Sequence, residues 1–256
     1  MISVRSLPAR LVPLDAVALL LALAAPLVAQ TNTAAPGLTA ALVRLLDGIP
    51  GFTAHLDVRQ VDAQGKETLN APMKFSFLNA KLRGEIEIAK LKATEMPALA
   101  GSAAKSVGLE TVVMLVRPDL RESQQYYPAF KACIHAPLGD EELVPLKKSV
   151  KLSKQPVARE TVDGRPCVKN KVTITDADGV RYAADVWFAP DLKNFPLKVK
   201  AADGGGSLEL HFTNIKLEKP DAKIFDLPAG TTKYEDPADL TQAVLKKFLG
   251  DAFGGK

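Results

Sequence analysis

The sequence predicts an α+β domain built on a long antiparallel sheet. Three observations carry that expectation. Between Val157 and Leu217 apolar residues alternate with polar ones at period two, the pattern of strands with one buried face. The dipeptides Asp163-Gly164, Asp178-Gly179 and Asp203-Gly204 punctuate this run, each supplying a residue that tolerates the positive φ of a tight hairpin turn. Helical spacing is concentrated near the two ends, with Leu38, Leu42, Leu45 and Leu46 at one and Leu240, Val244, Leu245, Phe248 and Leu249 at the other.

The first stretch is read as a targeting segment. Arg5 and Arg10 precede an apolar run over residues 16–29, and polar sequence resumes at Gln30, which predicts a cleavable export signal at 1–29. The run is shorter than the roughly 20 residues that cross a bilayer, so a retained anchor is not expected. No cysteine follows it closely, so neither is a lipid-modified N-terminus. The remaining segment, 30–256, is expected to be one exported domain, periplasmic first and secreted as the alternative.

Along that domain, the leucines from Leu38 to Leu46 form an amphipathic helix that Asp47-Gly48 and Pro50 stop. Phe52, Ala54, Leu56 and Val58 then alternate with Thr53, His55, Asp57 and Arg59. A turn at Gly65 leads to a strand through Met73, Phe75 and Phe77, and another follows through Leu82, Gly84, Ile86 and Ile88. Met96 to Gly108 is rich in Ala, Ser and Gly and reads as a loose helix or a flap. Strands are expected over Val112–Val116, Arg121–Tyr127 and Ala129–Ala136, then a short helical insertion at Asp140–Lys148, then strands again from Val150. In the last strand Leu208, Leu210 and Phe212 share one parity and Ile215 and Leu217 the other, which predicts a bulge at Thr213-Asn214. Asp236 caps the final helix, with Pro237 in its first turn.

Composition narrows the function classes. The net charge is +4, or about +3 once Arg5, Arg10 and Asp15 are set aside, with no long basic block and aromatics too sparse for a base-stacking platform. Nucleic acid is not an expected partner. The histidines His55, His135 and His211 all sit in strand candidates, without the i, i+4 helical spacing of a zinc site. The Gly204-Gly205-Gly206-Ser207 run lacks a nucleophile elbow, and Asp176-Ala-Asp178-Gly179 lacks the rest of a calcium loop. Glu85 and Glu87 share the polar side of their strand. No enzyme, metal or cofactor is therefore expected. Cys133 and Cys167 either pair or stay as thiols; an oxidising compartment and the even count make them a disulfide candidate, closing a loop of about 34 residues worth roughly 3 kcal/mol.

Several blocks match in order: Val116-Arg-Pro-Asp119, Tyr127-Pro128, Glu160 to Lys169, Trp187 to Pro196 and Lys219 to Gly230. Together they resemble a family of exported bacterial proteins without an assigned activity, itself similar to a distant branch of the outer-membrane lipoprotein carrier superfamily. The resemblance covers most of residues 38–236. It implies a curved half-barrel whose concave, apolar side is covered by helices. It carries over no functional residue, and the sequence around Cys133 to His135 departs from the plainer strand end that the pattern has.

On a curved sheet, Leu56, Val58, Phe75, Phe77, Ile86, Ile88, Val172 and Ile174 face the concave side. They either line a cavity for an apolar ligand such as a lipid or an acylated peptide, under the Ala-rich flap, or form an ordinary core beneath helices. The expected function is a non-catalytic periplasmic or secreted binding protein. The alternative is an envelope protein-interaction or sensing domain with no small ligand.

Overall fold

The computed structural model describes residues 38–94, 105, 108–139, 143, 151–175, 181–203 and 205–253. The expected export signal, most of the Met96–Gly108 flap and of the Asp140–Lys148 insertion, and the Asp178-Gly179 turn lie outside the described residues. What is described is mostly strand. One sheet runs through the described residues, with one described helix before its first strand and another after its last.

Helix α1 (Leu38–Leu45) is the first described element. Strands β1 (Gly51–Val61), β2 (Glu67–Leu78) and β3 (Lys81–Glu87) follow as an antiparallel meander, and the two-residue β4 (Lys92–Ala93) pairs back onto β2. Next come β5 (Thr111–Arg117), β6 (Glu122–Tyr127) and β7 (Ala132–Pro137). The second half is a meander of β8 (Lys151–Val162), β9 (Arg165–Thr175), β10 (Arg181–Ala189), β11 (Phe195–Asp203) and β12 (Gly206–Lys216). The chain ends with β13 (Thr232–Tyr234) and helix α2 (Pro237–Phe253). Spatial order is β13-β7-β6-β5-β3-β2-β1-β12-β11-β10-β9-β8, so β1 and β12 join the halves into a 13-stranded curved sheet. All pairs are antiparallel except β13 with β7, a parallel pair that the alternation did not foretell.

Local chemistry explains the turns. Asp163 and Gly164 both take positive φ, 49° and 75°, in the two-residue β8–β9 hairpin. Three other corners share a different device. Pro118, Pro128 and Pro190 each follow the last residue of a strand, and three residues later Arg121, Lys131 and Lys193 take left-handed φ values of 57°, 48° and 56°. The fixed φ of proline starts each corner in a helical turn, and the left-handed residue redirects the chain. The Pro128 corner corrects the expected strand start at Ala129: Pro128–Phe130 is a 3-10 turn and β7 begins at Ala132. The predicted bulge is present. Thr53 pairs with Lys216 but His55 with Thr213, leaving Asn214 and Ile215 opposite Ala54, with Asn214 at φ 50°. Gly206 belongs to this packing rather than to any catalytic turn, since a Cβ there would overlap the Val61 carbonyl.

The two faces of the sheet carry different cores. On the inner face, Phe52, Phe75, Phe195 and Phe212 pack tilted or edge to face with centroids 4.8–6.0 Å apart, inside a cluster that reaches from Leu82 on β3 to Val172 and Ile174 on β9. Leu42, Val43, Leu45 and Leu46 of α1 and the residue after it join that cluster. On the outer face, Val113, Leu115, Tyr126 and Cys133 form a smaller cluster beneath Leu227.

That second core exists because the chain must cross the sheet. From the end of β12 to β13 it passes seven strand spacings, about 34 Å, and residues 217–231 are long enough to do so as an extended strap. Gly51 lets the strap approach closely: a Cβ there would lie 3.2 Å from the Lys219 Cα. Arg83 donates from Nη1 to the Ile224 carbonyl at 2.8 Å, and Arg117 from Nη1 to the Phe225 carbonyl at 2.9 Å. Helix α2, capped by Asp236 Oδ1 accepting from the Ala238 amide at 2.8 Å, packs against β7 and β13 at the end of the sheet. So of the two described helices, α1 lies on the inner face and α2 at one edge. No described helix is long and apolar enough to cross a membrane.

Candidate functional site

The inner face is best read as rows of side chains running across paired strands. One row is Ala54, Phe75, Gly84, Met114, Gln125 and Ile134. A second is Leu56, Met73, Ile86 and Val112. A third is Phe52, Phe77, Leu82, Val116, Ser123 and Ala136. Alternation puts every one of these on the side of α1. The charged residues of the same strands, among them Lys74, Arg83, Glu85, Arg117 and Glu122, take the other parity and face outward.

Most of the sequence-predicted residues meet here. Leu56, Phe75, Phe77, Val172 and Ile174 are buried in the main cluster, and half-buried Val58 touches both that cluster and a smaller one. Ile86 belongs to the smaller cluster, with Ala71 and Leu91. Ile88 departs from the expected pattern: β3 ends at Glu87 and Ile88 starts a 3-10 turn, where it is buried but off the strand. Gly84 makes a gap in its row that Met73 fills, the Sδ lying 2.9 Å from where a Cβ would be.

Two polar atoms break the apolar character of this face. Gln125 Nε2 and Tyr127 Oη are buried without a hydrogen-bond partner among the described residues. Both side chains lie on the inner side of β6, two residues apart, because Gln125 pairs with Met114 and Ile134 and Tyr127 with Ala132. Burial pushes the Tyr127 phenol above its usual range, which keeps it neutral and able to donate. Sequence reading passed over both, since alternation marks a polar residue at an inward position only once the register is known.

The cysteines do not form the candidate disulfide. Both are free and buried, Cys133 in the outer cluster on β7 and Cys167 in the main cluster on β9, with eight strands between them in the sheet. Cys167 alternates in step with Lys169 and Lys171 yet is only 3% accessible. Burial raises both thiols above their ordinary values. Among the described residues no group of three or more His, Cys, Asp and Glu side chains stands close enough to hold a metal ion.

The outer face offers a different feature, a cleft of about 310 Å³ between the strap and strands β5 and β6. Arg117 forms its base. Its guanidinium bonds Asp119 at 2.8 and 2.9 Å and Asp226 at 2.6 Å, so that the arginine is held charged and Asp119 is pulled down to about 2. Leu120, 51% exposed, and Lys233 stand at the rim.

No known family's sequence profile matches the chain, and no curated protein matches it by sequence. Solved structures do. The lipoprotein LppX of Mycobacterium tuberculosis is 17% identical over 71% of this chain and 96% of its own, with a TM-score of 0.35. A LolA superfamily protein from Nitrosomonas europaea is 12% identical over 75% of this chain and 98% of its own, at 0.31. The MucA/MucB complex of Pseudomonas aeruginosa is 16% identical over 75% of this chain and 61% of the matched chain, at 0.36. At these scores no residue takes a role from them, and one of the structures to which this chain is similar is itself a LolA superfamily protein.

Proposed function

We propose that this chain is a non-catalytic, exported binding protein, periplasmic in the first instance, that holds an apolar ligand such as a lipid or an acylated peptide against the inner face of its sheet. Leu56, Val58, Phe75, Phe77, Ile86, Val172 and Ile174 line the ligand, and Ile88 closes one end. The observation that supports this is one of dimensions. Twelve strands side by side give an arc of about 50 Å with an apolar inner side, whereas α1, the helix described on that face, is eight residues long, reaches about 12 Å and cannot span it. A mostly apolar surface with a few placed polar groups is the usual make-up of a small-molecule site.

Thermal unfolding tests the reading. Titrating the full-length protein with dioleoylglycerol, or with a palmitoylated peptide, should raise the melting temperature progressively, as expected for a ligand that binds only the folded state. A melting temperature indifferent to both would reject an apolar-ligand site.

A second reading, an envelope protein-interaction or sensing domain with no small ligand, draws on the outer cleft and the exposed Leu120 beside it. Under that reading Leu120→Glu abolishes association with a stoichiometric protein partner, and no lipid accompanies the wild-type protein.

A further inference from the structure

The inner face carries a polar pair that an apolar core has no use for. Leaving a buried donor unbonded costs about 1–3 kcal/mol, so folded proteins rarely keep one, let alone two on one strand. Gln125 is 7% and Tyr127 3% accessible, and Gln125 Nε2 and Tyr127 Oη each lack a partner among the described residues. They sit two residues apart on the inner side of β6, about 7 Å along the strand. Met114, Ile134 and Ala132, their register neighbours, offer no side-chain hydrogen-bond acceptor of comparable strength.

The charge around the pair narrows what it can meet. On β3, β5, β6 and β7 every inner register position is uncharged: Leu82, Gly84 and Ile86; Val112, Met114 and Val116; Ser123, Gln125 and Tyr127; Ala132, Ile134 and Ala136. Arg83 and Arg117, the arginines of β3 and β5, face outward and are engaged by Glu85, Asp119 and Asp226. A carboxylate or phosphate buried here would meet no counter-charge from the described inner positions of these strands, which is strongly unfavourable. Two neutral donors in an apolar field match a neutral acceptor.

We infer that Gln125 and Tyr127 are the head-group anchor of the inner-face site, donating hydrogen bonds from Nε2 and Oη to the carbonyl oxygens of a neutral acyl ester or amide while its chains lie along the Leu56 and Ala54 rows. This rests on the apolar-ligand reading above and adds the chemistry of the head. The inner face then selects neutral acyl esters over free fatty acids and anionic phospholipids.

The test uses full-length protein and three kinds of probe: dioleoylglycerol as the neutral ester, dioleoylphosphatidylglycerol and oleate as anions, and squalene as an apolar chain without a head. Wild type should bind the ester more tightly than the anions. Tyr127→Phe and Gln125→Met each remove one donor with little change of shape, and each should weaken ester binding about three- to tenfold while leaving squalene unaffected. Without ligand, each variant should melt at the same temperature as wild type or higher, because an unbonded buried group has been removed. The inference is overturned if the anions bind more tightly than the ester, or if ester affinity is untouched by both substitutions while squalene still binds; in the second case the apolar-ligand reading survives alone. Variants that melt several degrees lower with unchanged ester affinity also overturn it, since the polar atoms would then serve the fold. If neither squalene nor the ester binds, the broader reading fails with it.

Discussion

Arg117 is the residue on which the outer face depends. Its side chain is 9% accessible, and it ties three things together: the β5–β6 corner through Asp119, the strap through Asp226, and the strap backbone through the Phe225 carbonyl. Replacing it with methionine keeps much of the buried stem and removes the charge. The expected cost is on the order of 2 kcal/mol, the range for hydrogen bonds to a charged group, and chemical denaturation checks it. The same residue gives the protein an acid signature. Asp119 is held near 2 when folded against an ordinary 3.8, so the folded state binds the proton less readily than the unfolded one. Its contribution is therefore complete above about pH 4 and is lost as the pH falls from there towards 2. In Arg117→Met this part of the acid dependence should disappear; an unchanged slope between pH 4 and 2 would show that Asp119 is not coupled to folding through the arginine. Nothing in the linear string Val116-Arg-Pro-Asp119 distinguishes such an arginine from a solvated one. Its second carboxylate partner, Asp226, lies 109 residues away, and only the crossing of the strap brings the two together.

At the level of elements, what could be read from the sequence was what short-range chemistry decides. The Asp163-Gly164 hairpin follows from two residues that accept positive φ, and the β12 bulge from a parity switch visible in Phe212 and Ile215. The proline corners at Pro118, Pro128 and Pro190 were just as local. Their signal was open to reading, because each proline opens a short turn that a left-handed Arg or Lys closes. Strand β13 had no such signal: three residues long, it pairs in parallel with β7 across a gap of about 100 residues. The strap likewise has no periodicity, and its role shows only in what it covers. It makes Cys133 a reporter. Leu227 packs over the cluster that holds Cys133, whereas Cys167 lies in the main core across the sheet. Leu227→Ala should cost roughly 1–2 kcal/mol and speed native-state labelling of Cys133 by a thiol reagent about tenfold, with Cys167 unchanged. Equal acceleration at both cysteines would mean that the strap does not open as a unit.

For the molecule as a whole, alternation was enough to separate an apolar from a charged side, because a residue's parity survives any error in where a strand begins. It placed Leu56, Phe75, Phe77, Val172 and Ile174 on one surface correctly. It failed where a strand ended early, at Ile88, and where a second core lay behind the sheet, at Cys133. It was also blind to Gln125 and Tyr127, whose inward direction follows from pairing with Met114 and Ala132 rather than from their own polarity. The central claim is that the inner face is a binding surface as well as a core. Native mass spectrometry of the protein recovered from its own cell envelope, under conditions that retain lipids, tests it most directly. Additional mass that dissociates as a neutral acylated species is expected. A bare protein mass, unaltered after incubation with acyl lipids or acylated peptides, would contradict it and leave the inner face as core alone.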